Sequence, residues 1–189
     1  MNKHVIEAQT QTLKARPVRE SRSEHTYAAL PNDANLIGNV LGGRIMHLVD
    51  LCGALAAERH SRRFVATAAV DHLSFLHPVH AGQFLILKSS VNRAFNTSVE
   101  VGVKVWSEDP RSRETRHILS AYLTFVALDE SGKPFPVPFA FPETEDEKRR
   151  YERAGRRREE RLQARSRTRS AEKAHPTIRR DQASRTTAR

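Results

Sequence analysis

Two glycines and one acidic residue stand where they could act on a carbonyl group. Gly42 and Gly43 precede an apolar segment whose only acid is Asp50. If that segment is a helix, the glycine amides lie at its N-terminus, where backbone N–H groups lack intrahelical partners and the helix dipole is positive. A carboxylate in apolar surroundings has a raised pKa and can serve as a general base. The alternative is that the glycines form a simple turn and Asp50 is a satisfied buried polar group.

The segment after the glycines predicts a long central helix. Its residues leave hardly any polar face, which is typical of a buried helix. A helix of about 17 residues would be about 26 Å long, enough to cross a small domain. It is too short and too interrupted to span a bilayer. The single cysteine, Cys52, lies inside it, and this position favours a small buried side chain over a catalytic thiol.

The rest of the domain has the pattern of an antiparallel sheet. A short strand is predicted at 26–30, before the helix, and the segments after the helix have the alternation of strands. These segments are 64–75, 83–93, 98–108 and 114–129. Because no helices alternate with them, the pattern predicts an α+β fold. The proline-rich residues 133–142 are expected to form an extended strap that makes no ladder and lays its aromatic side chains on the domain.

Charge and composition divide the chain into one domain with polar ends. The net charge is +10, and residues 143–189 carry +7 of it. We predict a polar, loosely attached N-terminal extension at 1–24, a domain at 25–142, a surface helix at 143–163 and a basic disordered tail at 164–189. With one cysteine, no signal peptide and no apolar run of membrane length, a cytoplasmic protein without a membrane span is expected.

Several blocks of the sequence resemble one family. Residues 32–50 read NDANLIGNVLGGRIMHLVD, and the pattern of the central helix is part of this string. The other matching blocks are AERH at 57–60, VATAAVD at 65–71, FLHPV at 75–79, Gly82, NRAFNTSVEV at 92–101, SED at 107–109 and PETEDEK at 142–148. Across about residues 25–160 the chain resembles the hotdog-fold acyl-CoA thioesterases, in the branch of the cytosolic (brain-type) acyl-CoA hydrolases and their bacterial relatives.

The resemblance implies a fold, a reaction and a catalytic set. The fold is a long central helix wrapped by a curved antiparallel β-sheet, and the reaction is hydrolysis of fatty acyl-CoA to fatty acid and coenzyme A. By position, Asp50 matches the catalytic acid and Asn39 the residue that orients water or the carbonyl. The Gly42 and Gly43 amides match the oxyanion donors. The resemblance also implies a homodimer with sites at its interface, assembling further to a hexamer.

Five other residues are weaker candidates for substrate binding. Thr67 lies on a strand that runs past the site in the family, although strand propensity alone also explains a threonine there. Arg93, Asn96, Thr97 and Ser98 match a loop that borders the coenzyme A channel in relatives. Arg93 could pair with a phosphate, and Asn96 could be a turn residue only.

The sequence also bears on cofactors and on other functions. The histidines lack metal-ligand spacing and no cysteine pairs occur, so no metal and no cofactor are expected; coenzyme A is part of the substrate and product. A non-catalytic acyl-CoA-binding regulator would share this fold, which by itself does not decide function. The basic tail suggests a nucleic-acid-binding protein, but no aromatic residue follows Tyr151 to stack on bases, so no specific nucleic acid is expected.

Overall fold

The computed structural model of the chain describes residues 13–174. They form an antiparallel sheet of five strands with a long helix packed on one face. The elements are β1 (Arg16–Pro17), β2 (Ser23–Ala28), α1 (Gly42–Ser61), β3 (Val65–Leu73), β4 (Phe84–Ala94), β5 (Ser98–Glu108), β6 (Thr115–Ala127), β7 (Ala140–Phe141) and α2 (Glu145–Ala174). The sheet order is β2-β4-β5-β6-β3, so β2 and β3 are its edges. This confirms the predicted α+β architecture with its central helix.

The core lies between α1 and the sheet. Val101, Val103 and Val105 of β5 are almost fully buried beneath the helix, as their alternation with polar residues predicts. Gly53 lets the helix approach the sheet closely, since a Cβ at this position would lie 3.0 Å from the ring of Phe125 on β6. The contact at Gly53 therefore fixes which part of α1 lies over β6.

Helix α1 is buried on one side only. Ile45, Leu48 and Val49 face the core, whereas Met46 and Leu51 are each 48% exposed. The nearly continuous apolar sequence is thus half covered by the sheet of the same chain. This uncovered face agrees with the homodimer that the resemblance implies.

The N-terminal extension predicted at 1–24 is only partly outside the domain. Residues 1–12 lie outside the described residues, but β1, a 3-10 turn at Val18–Ser21 and the start of β2 belong to the fold. Val18 is 1% exposed and belongs to the core, and the Ser21 hydroxyl accepts a hydrogen bond from the Val91 amide of β4. The prediction was wrong for these residues. A single valine and a single serine form no periodic pattern from which a core contact could be predicted.

The proline-rich strap does form a ladder, although a short one. Ala140 and Phe141, which both retain an amide N–H, pair in parallel with Arg16 and Pro17. The prediction that 133–142 makes no ladder was therefore wrong at its C-terminal end. Phe139 also departs from the expected packing, because its ring remains 51% exposed and makes an edge-on contact with the Tyr151 ring of α2.

Helix α2 continues beyond the surface helix predicted at 143–163. Its described part reaches Ala174, so residues 164–174 are helical where a disordered tail was expected, and 175–189 lie outside the described residues. Alanine, arginine, lysine and glutamate in this stretch are good helix formers. The chain divides into two compact units, one ending at Gly155 and one beginning at Arg156. Among residues 13–174, no helix is long and apolar enough to cross a membrane.

Candidate functional site

The acid of the central helix is bonded to a threonine of the edge strand. The Thr67 hydroxyl donates a hydrogen bond of 2.6 Å to Asp50 Oδ1. The two meet because Gly53, one turn after Asp50, packs on Phe125, which is the cross-strand partner of Thr67. Asp50 is half-buried and Thr67 is exposed. The threonine thus fixes one carboxylate oxygen, a contact that strand propensity alone did not predict.

The second part of the site is the loop that leads into α1. Asn39 and Gly42 line a cavity of about 350 Å³ together with residues 75–79. Asn39 Oδ1 is buried and has no hydrogen-bond partner among the described residues. Helix geometry leaves the Gly42 and Gly43 amides without intrahelical acceptors, and no side chain in the described part of the chain caps this end of the helix. The cavity therefore offers polar groups suited to a carbonyl oxygen or a water molecule.

A buried ion pair holds this loop in place. Asp33, only 6% exposed, accepts hydrogen bonds from the Tyr27 hydroxyl (2.8 Å) and the Leu30 amide (3.0 Å). Arg44 Nε lies 3.0 Å from its other oxygen, and the guanidinium covers the Tyr27 ring. Burial alone would raise the pKa of Asp33, but these hydrogen bonds and the charge of Arg44 outweigh it and lower the pKa. Asp33 is therefore an anion that fastens the loop between β2 and α1.

An asparagine shapes the loop itself. Asn35 Oδ1 accepts hydrogen bonds from the amides of Ile37 and Asn39, both at 3.1 Å. Its backbone amide donates to the Asn39 carbonyl at 2.8 Å. Asn35, which the sequence analysis did not single out, is thus directly connected to Asn39 on the way to the helix.

One chain does not bring these two parts together. At 1.5 Å per residue, Gly42 and Asp50 are about 12 Å apart along α1, and neither Asp50 nor Thr67 lines the cavity of Asn39. A thioester group is much smaller than this separation. A single chain therefore holds the predicted base and the predicted oxyanion donors in separate places.

The residues next to Asp50 form an uncovered apolar surface. Met46, Leu51 and Leu55 of α1 and Val70 of β3 are between 44% and 52% exposed. They extend along the same helix and the same edge strand that present Asp50 and Thr67. Several large apolar side chains exposed on one helix and its neighbouring strand are typical of a binding or association site.

The other predicted binding residues lie across the sheet. Arg93 is at the end of β4, and its guanidinium covers the Tyr151 ring at 4.3 Å. Asn96, Thr97 and Ser98 form or follow the β4–β5 turn, where the Thr97 carbonyl accepts from the Ala127 amide. Cross-strand pairing puts Ser98, at the end of this turn, about 10 Å from Thr67, because two strand spacings separate β5 from β3. The structure therefore does not join these four residues to the Asp50–Thr67 pair within one chain.

Cys52 is a structural residue, as the sequence predicted. The thiol is buried beside the Ser89 hydroxyl, 3.3 Å away, and burial raises its pKa. A thiol with a raised pKa is mostly protonated and is a poor nucleophile. Within the described part of the chain, no group of three or more His, Cys, Asp or Glu residues could hold a metal ion.

Comparison with known proteins identifies the family. The model for "Thioesterase superfamily" matches residues 37–114. The uncharacterized acyl-CoA thioester hydrolase YkhA of Bacillus subtilis is 38% identical over 137 residues, which are 72% of this chain and 80% of that protein. Protein VdlD of Helicobacter pylori is 40% identical over 134 residues, 71% of this chain and 76% of that one.

Solved structures agree with the sequence comparison. An apo-hexameric acyl-CoA thioesterase is 39% identical, with a TM-score of 0.77 over 80% of this chain and 97% of that one. An acyl-CoA hydrolase of Staphylococcus aureus, in complex with butyryl coenzyme A, coenzyme A and coenzyme A disulfide, is 32% identical, with a TM-score of 0.78 over 85% and 98% of the two chains. The chain therefore belongs to the hotdog-fold thioesterase superfamily, which confirms the family and the fold that the sequence resembles.

Proposed function

We propose that this protein hydrolyses acyl-CoA thioesters to the free acid and coenzyme A. The observation that carries the proposal is the 2.6 Å hydrogen bond that orients the Asp50 carboxylate beside an uncovered apolar surface. An oriented carboxylate can activate water, and an apolar surface suits an acyl chain. Relatives named acyl-CoA thioester hydrolases, and a similar structure solved with butyryl coenzyme A, support this substrate class.

Three variants of the Staphylococcus aureus enzyme support the choice of residues. Their structures carry alanine in place of an aspartate, a threonine and an asparagine. That threonine is 17 positions after the aspartate, and that asparagine is 15 positions before it. In this chain the same steps lead from Asp50 to Thr67 and to Asn35. We therefore keep Asp50 as the catalytic carboxylate and add Thr67 as its hydrogen-bond partner. Asn35 joins Asn39 as a second candidate for the side-chain amide that orients water or the carbonyl.

The proposed reaction needs only groups of the protein and one water molecule. Asp50 takes a proton from water as the oxygen attacks the carbonyl carbon of the thioester. The Gly42 and Gly43 amides, with the asparagine side chain, stabilise the oxyanion that develops. The intermediate collapses, the carbon–sulfur bond breaks, and the thiolate of coenzyme A leaves with the proton that Asp50 had accepted, which restores the carboxylate. Asp50 could instead attack the carbonyl carbon directly to form an anhydride, which water then hydrolyses.

We propose that each complete site is shared between two subunits. About 12 Å along the helix separate Gly42 from Asp50, so the Asp50–Thr67 pair of one chain would face the Asn39 and Gly42 cavity of its partner. The uncovered residues on α1 and β3 would lie in that interface. Several similar structures are hexamers, and we propose that the dimer assembles in the same way.

Mixing inactive variants tests the shared site. Asn39→Ala and Asp50→Ala are purified separately, unfolded and refolded together, and assayed for thiol release from acyl-CoA esters of different chain lengths. A mixed dimer has one site with both lesions and one intact site, so activity should return. Mixing Asp50→Ala with Thr67→Ala is the matched control, since every mixed site then keeps one lesion. Recovery in neither mixture would refute the shared site, and wild-type turnover by Asp50→Ala would refute the assignment of Asp50. Absence of thiol release from every ester by the wild type would refute the function. Repeating the first mixture with Asn35→Ala in place of Asn39→Ala shows which asparagine belongs to the site.

Two further aspects of the proposal concern cofactors and location. The reaction uses a general base and amide donors, so we propose that no resident metal or cofactor takes part and that coenzyme A enters only as part of the substrate. Similar proteins include cytosolic acyl coenzyme A thioester hydrolases of mouse and rat. We therefore propose a cytoplasmic location for this protein.

A further inference from the structure

A cavity of the described chain lies on the sheet face opposite α1. Gly53 of the helix would contact Val103, so Gly102 and Lys104, the next residues on β5, point to the other face. There they line an open groove of about 440 Å³ together with β4, β6 and the first turns of α2. Neither Asp50 nor Thr67 lines this groove. It is therefore separate from the proposed catalytic residues of the same chain.

The floor of this groove carries two lysines directly opposite each other. Lys88 of β4 and Lys104 of β5 are cross-strand partners, and like charges in this relation repel. Glu24 of β2 is the partner of Lys88 on its other side and forms a salt bridge of 3.2 Å with it. Lys104 is instead paired with the neutral Ser120 on β6. One acid thus faces two lysines, and this row of cross-strand neighbours keeps an excess of positive charge.

Two arginines add to this charge from the rim. Arg22, just before β2, and Arg150 of α2 both line the groove. Glu147 receives a hydrogen bond of 2.8 Å from Arg22 and is itself fixed by the amides of Glu143 and Thr144. The acid therefore holds Arg22 in position at the groove as well as partly neutralising it.

The groove also has a built floor. A Cβ at Gly102 would lie 3.0 Å from the amide nitrogen of Asn92, a residue that is 1% exposed and donates a hydrogen bond of 3.0 Å to Glu100. The missing side chain at Gly102 thus both accommodates a buried polar pair and deepens the groove. Trp106 supplies a flat, half-exposed wall. Depth, an aromatic wall and unbalanced cations together distinguish this groove from an ordinary solvated basic surface.

We propose that this groove binds a ligand that carries phosphate groups. Phosphate oxygens would relieve the repulsion between Lys88 and Lys104 and accept hydrogen bonds from them and from Arg22 and Arg150. The volume is within the range of pockets that hold small organic ligands. The phosphates could belong to coenzyme A bound at a site of a neighbouring subunit, or to a free nucleotide. The proposal does not depend on the catalytic role of Asp50.

Calorimetry on the full-length protein tests this inference. Pyrophosphate, ATP and coenzyme A are titrated separately into the wild type and into Lys88→Gln, Lys104→Gln and Lys133→Gln. Lys133 is an exposed lysine outside the groove and serves as the matched control. We expect each groove variant to weaken binding about tenfold, as for one lost charge-assisted contact, while Lys133→Gln binds as the wild type does. Lys88→Gln should lose more than Lys104→Gln, because it also leaves Glu24 facing the phosphates.

The outcomes separate the two sources of phosphate and the catalytic proposal. If coenzyme A is the ligand, Lys104→Gln raises KM for acyl-CoA and leaves kcat unchanged. If a free nucleotide is the ligand, ATP binding weakens while KM is unaffected. Failure of all three probes to bind the wild type, or equal binding by all variants, would overturn the proposal. Because binding is measured directly, this result stands apart from any loss of turnover in Asp50→Ala.

Discussion

Replacing Asp33 by asparagine should destabilise the protein far more than the loss of one surface charge. The Asp33 carboxylate accepts from the Leu30 amide and the Tyr27 hydroxyl at one oxygen, and its other oxygen forms an ion pair with Arg44 Nε at 3.0 Å. Asparagine has one oxygen and one NH2 group, so at least one of these donors would face another donor. Losing a charge-assisted hydrogen bond in a buried site, with a partner left unsatisfied, should cost about 2–4 kcal/mol. Urea unfolding followed by circular dichroism measures this loss.

Asp129→Asn is the matched control for this prediction. The Asp129 carboxylate also accepts hydrogen bonds from backbone amides, those of Ser131 and Lys133, but it does so in an exposed turn. Its replacement should therefore cause a much smaller loss. Because folding lowers the pKa of Asp33, its stabilising effect is full above about pH 4 and is lost as the pH falls further. The difference between wild type and Asp33→Asn should shrink in the same range. Equal losses in the two variants, or a difference independent of pH, would refute the role of the buried ion pair.

Three further predictions concern pH, packing and metals. His60 is fully buried and hydrogen-bonded to the Pro138 carbonyl, and burial lowers its pKa. Thermal stability should therefore fall as the pH drops below about 6.5. His60→Gln should flatten this pH dependence, and an unchanged slope would contradict the prediction. Gly53→Ala should lower the free energy of unfolding in urea by about 1–2 kcal/mol, because crowding against Phe125 exceeds the gain in helix propensity. Gly43→Ala is the control and should not destabilise the protein, because a Cβ there meets open space. Dialysis against EDTA should leave thiol release unchanged, and activity restored only by an added metal would disprove the proposed chemistry.

The sequence was most informative where one periodicity covered a whole element. Strict alternation of valine with polar residues predicted β5 at 98–108 with both ends correct. The apolar helix and the glycines before it predicted α1, which begins at Gly42. These signals depend on burial of one face, which local sequence records directly. The fold could therefore be predicted from the residues, and the resemblance named its family.

Features that depend on distant contacts were not predicted. Val18 enters the core through two-residue pairing between β1 and β7, and no local pattern announces such a contact. The bond between Thr67 and Asp50 arises from the crossing of α1 over the sheet, which spacing along the chain does not encode. The Asp50 assignment, the predicted oxyanion amides and the residues of the β4–β5 turn remain proposals, because their roles require a partner subunit and a substrate.

Release of coenzyme A thiol by wild type and Asp50→Asn, measured side by side on the same acyl-CoA ester, tests the central claim most directly. Asparagine keeps the size of the side chain and an oxygen that can accept from Thr67, but it cannot take a proton from water. We predict a loss of kcat of about 10²–10⁴-fold, the usual contribution of a general base, with coenzyme A binding retained. Turnover by Asp50→Asn within a factor of about two of the wild type would contradict the claim that this carboxylate carries the hydrolysis.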